Sequence, residues 1–249
     1  MKLRRFRPQG IVPIEIWDVE LGDALLYEKP ERLAEALEAL REGRARTRWS
    51  RSPIWAARDF DSVFLGGGRP IALAAPYRVE VSADGAFVGE RGGIELLKQA
   101  GRTSGLVVDV GQSAIKVTSW GAETVRRTIP RDAAQLPIRP PNVVDPSVAE
   151  QRVRARTFLA KALRGARDVV LALPCELDDR GTPGRCSYIG WEGDIRLVPD
   201  ALRLAGAANA EVWLLQDSEL AGLSCPPIGK RTLVVTVGYA VAACVRLSP

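Results

Sequence analysis

Hydrophobic and polar positions follow two different periods along this chain. Short apolar runs such as LVVDV, DVVLALP and EVWLLQ predict β-strands that are covered on both faces. Residues 31–43, ERLAEALEALREG, have helical spacing and end at a glycine. Their shared apolar face consists of Leu33, Ala36, Leu37 and Leu40. Strands and helices mixed in this way predict an α/β protein with covered sheets.

Further elements follow from the same patterns. The segment PSVAEQRVRARTFLAKALRGA predicts a second amphipathic helix, and another helix is predicted to begin near residues 91–93. The prolines of PIRPPNVVDP predict a loop. The segment TLVVTVGYAVAACVRLSP predicts two apolar strands around a Gly-Tyr turn, and DSVFLGGGRP predicts a strand that ends in three glycines. Several predicted strands therefore end at glycine-containing turns.

The composition narrows the classes of function. The 249 residues carry a net charge of +5 from arginines scattered along the chain, and we expect no nucleic-acid partner from such a charge. The sequence contains no His, which excludes His-based general catalysis and His-containing zinc sites. The four cysteines show no CxxC spacing, so we expect no zinc. No segment resembles a signal peptide or a membrane span, so we expect a cytoplasmic protein with no membrane partner.

One acid stands in the middle of an apolar strand. In LVVDVGQSAIKV, Asp109 precedes a Gly-Gln-Ser bend, and the next strand carries Lys116. In one interpretation the segment is a β-hairpin whose Asp accepts N–H groups of the turn. In the other, the N–H groups of the bend and the Ser113 side chain approach an anion. Asp109 then orients a hydrated Mg²⁺, and Lys116 faces phosphate charge.

A second acid lies where an apolar strand ends and a helix begins. In VWLLQDSELAGL this acid is Asp217. An Asp at such a junction commonly acts as a helix N-cap. It can also act as a general base that accepts a hydroxyl proton while the oxygen attacks phosphorus.

These segments resemble motifs of the ROK family of bacterial repressors, open reading frames and sugar kinases. That family belongs to the actin-like ATPase superfamily, which has a ribonuclease H-like α/β fold in two lobes. LVVDVGQSAIKV resembles the family's first phosphate motif, DxGxTxxK. Asp109, Gly111 and Lys116 match this motif, and Ser113 stands where Thr is usual. The resemblance implies that these four residues bind the phosphates of ATP, with Asp109 holding Mg²⁺ through water.

Three further segments resemble the parts of the family that contact the acceptor sugar. VWLLQDSELAGL resembles a strand that ends in Asn-Asp, where Asp217 matches the catalytic base and Gln216 replaces Asn. IVPIEIWDVEL resembles the strand of the GExGH substrate motif, with Glu15 matching. VVLALPCELDDRGTPGRCSYIGW resembles the segment that leads from Pro-Gly to a substrate-site Trp, with Pro174 and Trp191 matching. The resemblance implies that Glu15, Gln216 and Trp191 bind the sugar.

Two segments resemble the remaining nucleotide motifs. TLVVTVGYAVAACV resembles the second phosphate motif, in which Gly238 matches. Three positions that carry Thr or Gly in the family are changed here, namely Tyr239, Ala240 and Ala242. The strand DSVFLGGGRP resembles the adenosine motif, and its glycines are Gly66, Gly67 and Gly68. Because Ala hinders close backbone approach, the altered second phosphate motif weakens the argument for activity.

The order of these motifs along the chain is adenosine, first phosphate, base, second phosphate. This order is a circular permutation of the order in the family, with the break after the second phosphate hairpin. In the permuted arrangement residues 105–222 form lobe one. Residues 1–104 together with 223–249 form lobe two, and the resemblance implies that the nucleotide lies in the cleft between the lobes.

The resemblance implies a carbohydrate kinase that transfers the γ-phosphate of ATP to a sugar hydroxyl, with Mg²⁺ and without zinc. The alternative is a catalytically inactive relative that binds a nucleotide or sugar as a sensor. The expected partners are a nucleotide and a small sugar. Family members are often dimers, which allows a homodimer here, although no feature of the sequence decides this.

Overall fold

A computed structural model describes residues 1–24, 32–49, 52–55, 60–68, 77–138, 148–186, 188–238 and 241–248. These residues form a mixed α/β protein, which confirms the fold class predicted from the strand and helix patterns. In the described ranges, no helix is both long and apolar enough to cross a bilayer.

The elements follow one another along the chain with strands in the majority. The helices of the described residues are α1 (Leu33–Arg41), α2 (Glu90–Gln99), α3 (Val148–Ala162), α4 (Leu197–Leu204) and α5 (Asp217–Ser224). The first eight strands are β1 (Lys2–Arg5), β2 (Ile11–Asp18), β3 (Asp23–Ala24), β4 (Ala45–Trp49), β5 (Ser52–Trp55), β6 (Ser62–Gly66), β7 (Arg78–Val81) and β8 (Gly105–Val110). The others are β9 (Ala114–Trp120), β10 (Val125–Pro130), β11 (Asp168–Leu173), β12 (Cys175–Leu177), β13 (Pro183–Cys186), β14 (Glu211–Gln216), β15 (Arg231–Val237) and β16 (Val241–Leu247).

The chain divides into two compact units. The first unit consists of Met1–Arg7 and Gly93–Asp217, and the second consists of Pro8–Gly92 and Ser218–Pro249. We expected lobes of residues 105–222 and of 1–104 with 223–249, so the bounds differ at three places.

Each difference in the bounds has a packing reason. Met1–Arg7 belongs to the first unit because β1 pairs in parallel with β14. The second half of α2 belongs there because Gly93 lies against Val107, where a Cβ would come within 2.5 Å of a methyl group. In the second unit, Gly222 of α5 lies against Ile11 and Cys244, with no room for a Cβ.

The first unit contains a six-stranded sheet in the order β1-β14-β11-β8-β9-β10. The strands β1, β14, β11 and β8 are parallel, whereas β9 and β10 continue the sheet with antiparallel pairing. Apolar side chains of β8, β9, β11 and β14 share one core with those of α3 and α4. The small strands β12 and β13 form a separate antiparallel pair.

The second unit contains an eight-stranded sheet in the order β5-β4-β2-β16-β15-β6-β7, with β3 attached to β2. Here β15, β6 and β7 are parallel, and β16 and β2 are added to β15 with antiparallel pairing. Apolar residues of β2, β6, β15 and β16 form a core with those of α1. Each unit therefore has its own sheet and core.

Five strands have the same arrangement in the two sheets. In the first sheet the order is β10-β9-β8-β11-β14, and in the second it is β2-β16-β15-β6-β7. The pairing directions correspond at every position, with two antiparallel pairs followed by two parallel pairs. In the first sheet β10, which occupies the outer antiparallel position, follows β9 along the chain. In the second sheet the corresponding strand is β2, from the beginning of the sequence, and next to it the amide N–H of Leu247 in β16 donates to the carbonyl of Gly10 at 2.7 Å.

A buried ion network connects α3 to the segment before α4. The guanidinium of Arg156 makes two hydrogen bonds with Asp194, at 2.7 and 3.0 Å, and one with Asp200 at 2.8 Å. Asp194 is only 3% exposed, so its charge depends on Arg156 for compensation.

We expect Asp194→Ala to destabilise the protein by about 3 kcal/mol, because the substitution leaves the Arg156 guanidinium without its bidentate partner. The measurement is urea unfolding followed by circular dichroism. The matched control is Glu150→Ala in α3, the helix that carries Arg156, because the ion pair of Glu150 with Arg154 is exposed and contributes less than about 1 kcal/mol. Equal losses of unfolding free energy in the two variants would show that the buried network contributes no more to stability than the exposed ion pair.

Candidate functional site at the ends of parallel strands

Asp109 and Lys116 form an ion pair across a β-hairpin. They are direct partners in the register of β8 and β9, and Lys116 Nζ lies 3.0 Å from Asp109 Oδ2. Both side chains are mostly buried, with exposed fractions of 22% for Lys116 and 14% for Asp109. The charge of Asp109 raises the pKa of Lys116 above its ordinary value, although burial of the ammonium acts in the opposite direction. The Lys116 ammonium is therefore protonated at neutral pH.

Gly111 closes the hairpin and makes room for the ammonium group. Its N–H donates to the carbonyl of Ala114 at 2.9 Å. A Cβ at residue 111 would lie 3.1 Å from Lys116 Nζ and 3.2 Å from the Ala114 oxygen. A side chain at residue 111 would crowd the ion pair, and this local packing explains the glycine at that position. Ser113 is exposed at the bend.

Asp217 lies close to the same ion pair. It follows β14 directly and is the first residue of α5. Its negative charge also raises the pKa of Lys116, by less than the charge of Asp109 does. Asp109, Lys116 and Asp217 all belong to the first unit, with Asp217 directly after a strand that lies two places from β8 in the sheet.

Asp109 and Asp217 lie at or near the carboxyl ends of parallel strands in the first sheet. The strands β14, β11 and β8 are parallel neighbours, so their carboxyl ends meet at one edge. Along the chain β8 is followed by its antiparallel neighbour β9, whereas β11 and β14 are parallel neighbours on its other side. Ligands of open α/β sheets bind outside the carboxyl ends of the strands.

Two predicted sugar-binding residues in the first unit are buried. Trp191 is 0% exposed, and its ring stacks on Tyr188 with centroids 4.4 Å apart. This differs from the expected contact between Trp191 and a sugar, because the indole is packed into the core. Gln216 is the last residue of β14 and is 7% exposed.

Cys175 follows Pro174 at the carboxyl end of β11 and lies opposite Cys186 in β13. A hydrogen bond with Cys186 and burial raise the pKa of the Cys175 thiol well above its ordinary value, and Asp217 adds to this effect. The Cys175 thiol is thus protonated at neutral pH. In the described part of the chain, no cluster of three or more Cys, Asp or Glu side chains could hold a metal ion.

The glycines of the predicted adenosine motif have packing reasons in the second unit. Gly67 has a φ of +108°, and a Cβ there would come within 2.2 Å of the carbonyl oxygen of Val237. A Cβ at Gly66 would lie 2.4 Å from a methyl group of Val88. Gly68 is exposed, with its nearest side chain at a normal contact distance. Gly67 allows β6 to end against β15, and Gly66 makes room for Val88, so their presence gives no independent support for adenosine binding.

The hairpin of β15 and β16 is the counterpart of the hairpin that carries Asp109 and Lys116. Thr236 precedes Gly238 by two residues, as Asp109 precedes Gly111, and its register partner is Ala242. The Thr236 hydroxyl donates to the Ala242 carbonyl at 3.3 Å. This hairpin thus has no charged pair at the corresponding position. Tyr239 and Ala240 lie outside the described residues.

Glu15 lies in β2 of the second unit. It is half-buried, and its register partner is Arg48 of β4.

Sequence reasoning did not single out Tyr188, whose hydroxyl contacts the bend after β8. An aromatic residue close to Trp191 in a loop segment gives no signal of that contact.

Comparison of the chain with protein-family models, with curated proteins and with solved structures gave no match.

We expect Asp109→Asn to lower the pKa of Lys116, since burial then acts without the carboxylate that opposes it. In the wild type the pKa of Lys116 lies above the unfolded value of about 10.4. The pair therefore contributes fully to stability below that pH, and the contribution is lost as pH rises through the raised folded pKa.

The measurement is an NMR titration of protein with ¹³C-labelled lysine, in which Lys116→Arg identifies one of the six lysine signals. Asp132→Asn serves as the control, because Asp132 is an exposed acid that caps a turn. An unchanged Lys116 titration in Asp109→Asn would contradict the ion pair.

Proposed function

We propose that the chain is an ATP-dependent carbohydrate kinase related to the ROK family, with an actin-like ATPase fold in circularly permuted order. The observation that carries the proposal is the cluster of Asp109, Lys116 and Asp217 at the carboxyl edge of parallel strands. An ammonium paired with one carboxylate beside a glycine bend, and a second carboxylate at the end of a parallel strand of the same sheet, supply the charges and donors needed for phosphoryl transfer.

The proposed fold is supported by the shared strand order of the two sheets. Two lobes of related architecture would give the same five-strand arrangement twice. The proposed permutation is supported by the chain order of the second sheet, in which β15 and β16 are followed in space by β2 from the beginning of the sequence.

The proposed reaction needs no covalent intermediate on the protein. Asp217 accepts the proton of a sugar hydroxyl, and the resulting oxygen forms a bond to the γ-phosphorus of ATP. The bond from that phosphorus to the bridging oxygen breaks, and ADP leaves with the electron pair. Lys116 offsets the charge that develops on the phosphate oxygens.

Magnesium fits the residues present in one specific way. Mg²⁺ usually keeps several waters and binds through one or two carboxylates together with substrate phosphates. Asp109 would hold the ion through its waters, and the ion would supply charge neutralisation of the phosphates.

A second candidate function is a nucleotide-binding protein without turnover. The observation that favours it is the hairpin of β15 and β16, where Thr236 and Ala242 occupy the positions that correspond to the ion pair. In this function the first hairpin binds the nucleotide, and no phosphoryl group is transferred.

We expect Mg²⁺–ATP to bind the wild type and phosphoryl transfer to appear with at least one of a panel of hexoses and N-acetylated sugars. Asp217→Asn should retain nucleotide binding and lose about 10²–10⁴-fold in kcat, because only the proton acceptor is removed. Asp109→Asn should weaken nucleotide binding itself, since it removes the carboxylate proposed to hold Mg²⁺.

The measurements are titration calorimetry and a coupled ADP assay. The control is Asp179→Asn, the same change at an acid with 85% of its side chain exposed. Binding without turnover would support the second candidate. If the wild type binds no nucleotide, both candidates are wrong.

A further inference from the structure

The bend after β8, residues 111–113, is held in place by hydrogen bonds donated to its carbonyl groups. The Tyr188 hydroxyl donates to the carbonyl of Gly111 at 2.7 Å and lies 3.2 Å from that of Gln112. The Nε–H of Arg131 donates to the Gln112 carbonyl at 2.6 Å, and the Arg131 backbone N–H donates to the Ser113 carbonyl at 2.9 Å. Each of the three carbonyls in the bend thus has a donor, from either Tyr188 or Arg131.

Fixing these carbonyls also fixes the direction of the amides. The described chain contains no cis peptide bond, so each N–H points away from the carbonyl of the residue before it. The N–H of Ser113 therefore faces away from the donors of Tyr188 and Arg131. In the same way, the N–H of Gln112 points away from Tyr188, because the Gly111 carbonyl accepts the hydrogen bond of the Tyr188 hydroxyl. Backbone amides of a glycine-containing bend are common donors to a phosphate.

Tyr188 is well suited to hold the bend rigidly. It is only 1% exposed, its ring stacks on Trp191, and its backbone forms a bridge with Ile138. Burial raises the pKa of its phenol, so the hydroxyl stays protonated and remains a donor at any physiological pH. The buried Trp191 thus supports the bend through Tyr188.

Arg131 completes the support from the strand side. It follows β10, and its guanidinium also donates to the Leu136 carbonyl at 2.6 Å. Two hydrogen bonds from one guanidinium to two carbonyls orient the side chain, since the planar fork fixes the directions of its donors.

We propose that Tyr188, together with Arg131, is a positioning residue that aims the backbone amides of residues 112 and 113 at a phosphate of the nucleotide. The inference rests on the proposed function for the identity of the ligand. The support of the bend itself depends only on the hydrogen bonds.

The test is Tyr188→Phe, which keeps the ring that stacks on Trp191 and removes the hydroxyl. We expect the affinity for Mg²⁺–ATP to fall by up to about 10-fold, as for the loss of one buried hydrogen bond. KM for ATP should rise more than kcat falls, because the amides hold the phosphate before and during transfer. Tyr77→Phe is the control, since it removes a phenol from the second unit. Arg131→Lys should act in the same direction as Tyr188→Phe, because it keeps the charge and loses the bond to Gln112.

A readout without nucleotide separates this inference from the proposed function. In Tyr188→Phe the amide protons of Gly111 and Arg131 should exchange faster with solvent, because their acceptors lie in or next to the loosened bend. Amide protons of β11 should be unaffected. Unchanged exchange and unchanged ATP affinity in Tyr188→Phe would overturn the inference even if the wild type is an active kinase. Absence of nucleotide binding by the wild type would overturn the proposed function and the ligand assigned to the bend, while faster exchange would still show that Tyr188 holds it.

Discussion

The parallel pairing of β8, β11 and β14 is the constraint on which the candidate site depends. Because the three strands run in one direction, their carboxyl ends meet at the same edge of the sheet. Their interiors are almost entirely apolar and buried, so polar groups are confined to the strand ends. Asp109 is the exception one residue before the end of β8, and Lys116 compensates its charge from the neighbouring strand. The strand register thereby determines which charged side chains are direct neighbours.

The ion pair is difficult to explain by stability alone. Two apolar residues of similar size at positions 109 and 116 would fill the same space without desolvating two charges. The positions that correspond in the second sheet, Thr236 and Ala242, show that the hairpin forms without a charged pair. A charged pair is present in the first hairpin and not in the second, which favours a chemical role for the first. The nearby charge of Asp217 points to the same edge.

The sequence predicted the elements that follow from local patterns and missed those that depend on distant contacts. The apolar runs of β8, β11 and β14 and the acid at the start of α5 were predicted because periodicity and strand-end residues are local features. The strand Lys2–Arg5 was not predicted, since a basic run with one Leu forms a strand only by pairing with β14 at the edge of the sheet. The burial of Trp191 and the contact of Tyr188 with the bend were also missed. Both arise from the path of a loop segment that has no periodic pattern, so their partners are visible only in three dimensions.

The pairing of β2 with β16 has a consequence for the synthesis of the protein. Ile11 and Arg246 are register partners, although 235 positions separate them along the chain. Because β2 leaves the ribosome long before β16, the central part of the second sheet cannot close until β16 has been synthesised. In the described part of the chain, all strands of the first sheet precede β15 and β16, so the first sheet can assemble beforehand. Until β15 and β16 emerge, the apolar face of β2 and α1 lacks the strands that cover it, and this interval is the one in which the nascent chain depends most on protection from aggregation.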